Sequence, residues 1–272
     1  MRKAKMWISL IGLSIFALLI LRYFPGSWLK DDYHLNSIIG YMAVAGIFYI
    51  AIYLMGLPTL QYFGIPRIRL KALVAVALAF PAPILQIFEA KLEYSSWLDV
   101  VSGIAFLLIL GFGEEMLSRG FTYGVLLKLG RFRAILFSSL FFGLLHINVY
   151  IPGYLGWETY FHVMSTFGFG MVMCGLMIVT RSIWIPVLFH AMIDWHIPFQ
   201  KKSTPIEDDQ VYSLWDNLTL PFFSLAFDVL ITLVLLGIDR ARMPNLPKWF
   251  WRIALRFKLI ELPANFANSI SS

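Results

Sequence analysis

Five ionisable residues lie in or beside otherwise apolar segments, and their types and spacing are those of a hydrolytic site. The first group is Glu114-Glu115-Met116-Leu117-Ser118-Arg119. On a helix, Glu115 and Arg119 are four apart and share a face, with the acid before the base, which is the favourable order. Glu114 points about 100° away from Glu115. The spacing therefore predicts one carboxylate paired with Arg119 and a neighbouring one left free, as a general base must be. The second group is Phe142-Gly143-Leu144-Leu145-His146, and the third is His190-Ala191-Met192-Ile193-Asp194. His190 and Asp194 share a helix face, where they can bind a metal together or the Asp can orient the His. Singly, each group has a bland reading: a helix-end salt bridge, a packing histidine, an intrahelical hydrogen bond. Together, two Glu, two His and one Asp on three consecutive apolar segments supply a base to activate water and donors or ligands to steady an oxyanion. Neither the zinc string H-E-x-x-H nor the nucleophile elbow G-x-S-x-G occurs.

The segments that must position these residues are those of a membrane protein. Of the 272 residues 59% are hydrophobic and only 14% charged, against about 25% in soluble domains. The mean hydropathy is +0.74, and a surface this apolar is tolerated by lipid rather than water. Eight apolar runs stand out, at about 6–21, 37–56, 72–88, 97–113, 134–147, 160–179, 182–192 and 218–238. A span needs roughly 17–25 residues. The fifth and seventh runs are short and end in ionisable groups, as expected of helices that line a site. The fold class predicted is all-α, a polytopic bundle of about eight transmembrane helices. With the N-terminus inside, 17 of the 22 Lys and Arg residues fall on the cytoplasmic side and 5 on the other, which places both termini in the cytoplasm. The net charge of +6 therefore follows topology, and nucleic acid is not an expected partner. Cys174 is alone, which leaves no internal disulfide and no thiolate cluster.

The first run is read as an uncleaved anchor, because the bulky Arg22-Tyr23-Phe24-Pro25-Gly26 follows it where a signal peptide has small residues. Residues 1–243 form the expected transmembrane domain. Residues 244–272 form a basic, aromatic tail whose Lys248-Trp249-Phe250-Trp251-Arg252 and Arg256-Phe257-Lys258 suit the inner interface. Asp228 lies near the middle of the last run, and its type fits either function or pairing with another helix. Thr166, Gly170 and Cys174 have the spacing of a helix-packing stripe. His162 and His196 are read as structural or interfacial.

The ordered set Glu-Glu-x-x-x-Arg, Phe-x-x-x-His and His-x-x-x-Asp resembles the CAAX protease and bacteriocin-processing family of intramembrane proteases. The family core would span about 97–196, and the stretch from Gly175 to Pro186 is similar to the family's lead-in to its last His. The resemblance implies a helical membrane fold with a cavity, and hydrolysis of a peptide bond in a membrane-associated protein or peptide. By position, the catalytic group would be Glu114, Glu115, His146, His190 and Asp194, supported by Arg119 and Phe142. Glu114 and His146 would activate water, and His190 and Asp194 would sit across the cavity. The prenyl-protease branch often has Asn where this chain has Asp194. An Asn amide donates a hydrogen bond, whereas an ionised Asp only accepts. Asp194 is thus protonated, or orients His190, or ligates a metal; zinc would accept His146, His190 and Asp194. The residues permit a metalloprotease and a metal-free, glutamate-dependent enzyme. Two other readings are a non-catalytic scaffold or bacteriocin-immunity protein of the same fold, and a proton-coupled transporter, although no inverted repeat is evident. A bacterial inner membrane is the expected location.

Overall fold

A computed structural model describes residues 12, 13, 15, 33–64, 69–89, 96–147, 157–199 and 214–240. The predicted first span, the acidic outer loop around 207–209 and the tail 244–272 lie outside the described residues, apart from isolated positions of the first. Among the described residues every regular element is helical. In chain order these are α1 (Tyr33–Leu54), a 3₁₀ turn (Pro58–Phe63), α2 (Leu70–Ala79), α3 (Pro81–Glu89) and α4 (Trp97–Glu115). A π-helical segment (Met116–Thr122) then leads into α5 (Tyr123–Leu126) and a 3₁₀ turn (Leu127–Leu129). There follow α6 (Arg131–Leu145), α7 (Trp157–Thr180), α8 (Trp184–Ile193), α9 (His196–Phe199) and α10 (Leu214–Arg240).

Four stretches are long and apolar enough to cross a membrane: Ser37–Leu54, Trp97–Leu129, Thr159–Thr180 and Pro221–Asp239. The outer faces agree. On α10, Phe222, Phe223, Phe227, Leu230 and Leu233 all point outward, while Leu235 and Thr232 are buried. Such a contiguous exposed apolar band is an interaction surface, and for this composition lipid is the partner. The eight predicted spans are not reached among the described residues. The run 72–88 is two helices of 10 and 9 residues, because Pro81 has no N–H to continue α2 and instead starts α3. Helices α6 and α8, with 15 and 10 residues, are too short to span alone.

The largest departure concerns the fourth run. Glu114 and Glu115 were expected at the inner end of a span, with Arg119 in a cytoplasmic loop. Instead the helix runs on to Leu129, and Arg119 is buried within it. The N-terminus of this long rod is set by Ser96, whose Oγ accepts from the Asp99 N–H at 3.2 Å. Asp99 adds a negative charge in the first turn, where the helix dipole favours it. Gly130, at φ 94°, turns the chain back into α6. The stroke from Glu115 to Leu129 and the return along α6 hold the same number of residues. His146, the cap residue of α6, thereby comes back to the level of Glu114.

Helix α7 packs between α6 and α10, and α4 lies against α1 and α8. Close approach depends on glycine. A Cβ at Gly143 would lie 2.8 Å from the Val163 carbonyl oxygen and 3.1 Å from Phe167 Cβ. The backbone oxygen cannot swing aside, so Gly143→Ala forces α6 and α7 apart. Overpacking of this kind costs about 1–3 kcal/mol. Thermal melting of the detergent-solubilised protein is expected to show a drop of several degrees. Gly46→Ala, on the open face of α1 with nothing within 4 Å, is the matched control and is expected to hold or raise the melting temperature. The predicted packing stripe on α7 has a partner in α6: Gly170 faces Ser139, and Cys174 Sγ lies 3.7 Å from Ser138 Oγ.

Candidate active site

The π-helical turn sits directly after the paired glutamates. It arises where an extra residue is accommodated in a helix, and such turns recur at functional sites. The Tyr123 N–H reaches back five residues to the Ser118 carbonyl. The Gly120 carbonyl inside the turn accepts from Thr59 Oγ1 at 2.6 Å, from the 3₁₀ turn after α1. The buried backbone of the distorted turn is therefore partly satisfied by a side chain from another element.

Glu115 and Arg119 are both buried, with side chains 0% and 1% exposed. Arg119 Nη1 approaches Glu115 Oε1 at 3.1 Å, an ion pair in which no N–H is aligned on the oxygen. The aligned bond to that oxygen comes from His190 Nδ1, at 3.0 Å. Arg119 Nη2 donates to the Gly170 carbonyl at 3.2 Å. Its guanidinium lies 4.5 Å from the centre of the Phe142 ring, a cation–π contact worth about 2 kcal/mol when desolvated. One cation thus ties the π-helical segment to α6 and α7, and its carboxylate partner ties α4 to α8.

Glu114 is placed differently. It is 21% exposed, and its Oε2 lies 3.6 Å from His190 Nε2 and 3.9 Å from His146 Nε2. Its other oxygen, Oε1, accepts from the Tyr41 hydroxyl at 3.3 Å. His146 Nδ1 lies 2.8 Å from the Phe142 carbonyl oxygen. A carbonyl only accepts, so Nδ1 carries a proton, and Nε2 is the ring nitrogen that faces Glu114. His190 Nε2 lies 3.3 Å from Asp194 Oδ2, one turn along. With its Nδ1 donating to Glu115 and its Nε2 between two carboxylates, His190 is favourably placed to carry a proton on both nitrogens.

The structure brings all five sequence-predicted residues, Glu114, Glu115, His146, His190 and Asp194, into one cluster, with Arg119 and Phe142 against it. Two more residues belong there. One is His162, read as structural or interfacial, whose ring centre is 5.2 Å from that of His146. Tyr41 lies in an apolar run 73 positions before Glu114, and no local spacing points to it. Asp228 sits on α10 against Gly168 of α7, and no ion pair joins it to the cluster among the described residues. Among the described residues no group of three or more His, Cys, Asp or Glu side chains is arranged to hold a metal ion.

Residues 96–196 match the family model described as Rce1-like, type II CAAX prenyl endopeptidase. This segment is Rce1-like. It begins at the N-cap of α4 and ends after α8, so it carries every member of the cluster except Tyr41. No curated protein matches the chain. The four span-length helices, together with the Rce1-like match, mark an integral membrane protein.

Proposed function

We propose that the protein is an intramembrane endopeptidase that hydrolyses a peptide bond in a membrane-associated protein or peptide. The observation that carries this reading is the convergence on Glu114 Oε2 of two histidine Nε2 atoms from two other helices. The 3.9 Å between Glu114 Oε2 and His146 Nε2 is too long for a direct hydrogen bond. It is the span that one water bridges with two bonds of about 2.8 Å. That water donates one hydrogen to each group, which turns an oxygen lone pair toward the substrate. As the oxygen adds to the carbonyl carbon, Glu114 takes its proton. Glu114 then returns the proton to the amide nitrogen as the C–N bond breaks. His190 Nε2–H, held by Asp194 Oδ2 in the resting site, is shared with the developing oxyanion. Glu115 and Asp194 fix the His190 ring and favour its protonated form.

An apolar pocket of about 390 Å³ lies beside α8, lined by residues that include Ile104, Leu107, Leu188, Ala191, Met192 and Trp195. The pocket is lined by Leu188, Ala191 and Met192 of α8, by Trp195 just beyond it, and by α4. The bias of basic residues toward one side favours a site served from the cytoplasmic leaflet of a bacterial inner membrane.

The test needs no substrate chosen in advance. Peptide termini are surveyed in membranes holding equal amounts of wild type or Glu114→Gln, with N-terminal and C-terminal peptides both collected. Cleavage products confined to wild type support the proposal and reveal the specificity. Identical termini, with the variant folded and a natural substrate source present, would sink it and leave a scaffold. Asp194 allows a finer check. Asp194→Asn keeps an acceptor for His190 Nε2–H and adds a donor, so kcat/KM on a cleavage found in the survey is expected to stay within about tenfold of wild type. Asp194→Ala removes the partner and is expected to lose about 100-fold, within the usual range for a group that supports acid–base chemistry.

A further inference from the structure

Glu114 is a useful base only if the oxygen facing the histidines stays there. A surface glutamate has three rotatable bonds, and one more partner is needed to hold its rotamer. That partner comes from α1, outside the Rce1-like segment. The Tyr41 hydroxyl donates to Oε1 at 3.3 Å, on the oxygen opposite the one that meets His146 and His190. The hydroxyl reaches because α1 is pressed against the turn that carries Glu114. A Cβ at Gly113 would lie 2.9 Å from Tyr41 Cδ1, 3.1 Å from the Tyr41 carbonyl oxygen and 3.3 Å from Tyr41 Cβ. The glycine just before the glutamate pair thus admits the tyrosine backbone.

We infer that Tyr41 is a positioning residue for the reaction proposed above: its hydroxyl holds Oε1 of Glu114 so that Oε2 faces the two histidines, and Gly113 provides the room. This rests on the protease reading, in which Glu114 is the base. It assigns α1 a part in the site. It also predicts that the matched segment alone carries an unsupported base.

The experiment compares wild type, Tyr41→Phe, Glu114→Ala and the double variant, together with Glu114→Gln. Each is purified in detergent at full length. Two readouts are taken: kcat and KM on a cleavage found in the survey, and melting temperature. Tyr41→Phe keeps the ring and its packing and loses only the donor. The expected result is a 10- to 30-fold lower kcat with KM within twofold. The melting-temperature losses of Tyr41→Phe and Glu114→Ala are expected to be less than additive, because both remove the same contact. Gly113→Ala should lower kcat in the same way, without a further fall when combined with Tyr41→Phe. Wild-type kcat in Tyr41→Phe, or a loss confined to KM, or additive melting losses, would overturn the inference. The two failures are distinguishable. If Glu114→Gln cleaves normally, the protease reading falls and takes this inference with it. If Glu114→Gln is inactive and Tyr41→Phe is normal, only the role of Tyr41 falls.

Discussion

Glu114→Gln is expected to reduce site-specific cleavage by about 10²- to 10⁴-fold, the usual contribution of a positioned general base. The substitution is close to isosteric. Its amide can still accept from Tyr41, so the helix contact with α1 survives and the protein should melt near wild type. What disappears is the ability to take a proton from water. His146→Ala is expected to fall in the same range, because the bridging water then has one anchor in place of two. The two losses should not multiply in the double variant, since both act on one water. A Glu114→Gln protein that is folded and cleaves at even a tenth of the wild-type rate would mean that Oε2 of Glu114 is not the base.

The other large effect concerns stability. Arg119→Ala is expected to destabilise the protein by about 3–5 kcal/mol, because it breaks a buried ion pair and leaves Glu115 with His190 as its one remaining polar partner among the contacts described. It also removes the donor to Gly170 and the cation over Phe142, and so loosens three helices together. The measurement is thermal or denaturant unfolding in detergent, read beside the yield of membrane-inserted protein. The charge argument has its own control. Glu115→Gln combined with Arg119→Met removes both charges at similar volume, and such replacements are often neutral. The double variant is expected to recover most of the lost stability. If it melts no higher than Arg119→Ala, the cost lies in packing rather than in the broken ion pair.

The sequence revealed the five clustered residues and concealed part of their setting. Glu115 with Arg119, Phe142 with His146 and His190 with Asp194 are all four apart, a spacing that announces itself on any helix. The composition likewise announced an all-α membrane fold. Hydropathy alone failed at the end of α4. The Glu-Glu pair and Arg119 look like the polar end of a span, so the rod appeared to stop where it continues to Leu129. Only the partners explain this: His190 and Gly170 come from distant parts of the chain to meet those charges. Pro81 was visible as an interruption, yet whether it kinks a helix or divides it depends on surrounding packing. Tyr41 and His162 were missed for one reason. Each reaches the site across helices, and no residue near it in sequence shares its purpose.

The equal strokes on either side of Gly130 bear on how such a chain can vary. Connections beyond the site can lengthen or shorten without moving the reacting atoms. The interval from Glu114 to His146 has no such freedom. One residue inserted in α6 as regular helix carries the histidine about 1.5 Å along its axis and about 100° around it, far outside the span of a single water. Length variation among natural versions of this protein should therefore collect outside that interval and be nearly absent within it. A gap-free block of fixed length between the second glutamate and the histidine would be a more telling mark of a working copy than the identity of most residues inside it.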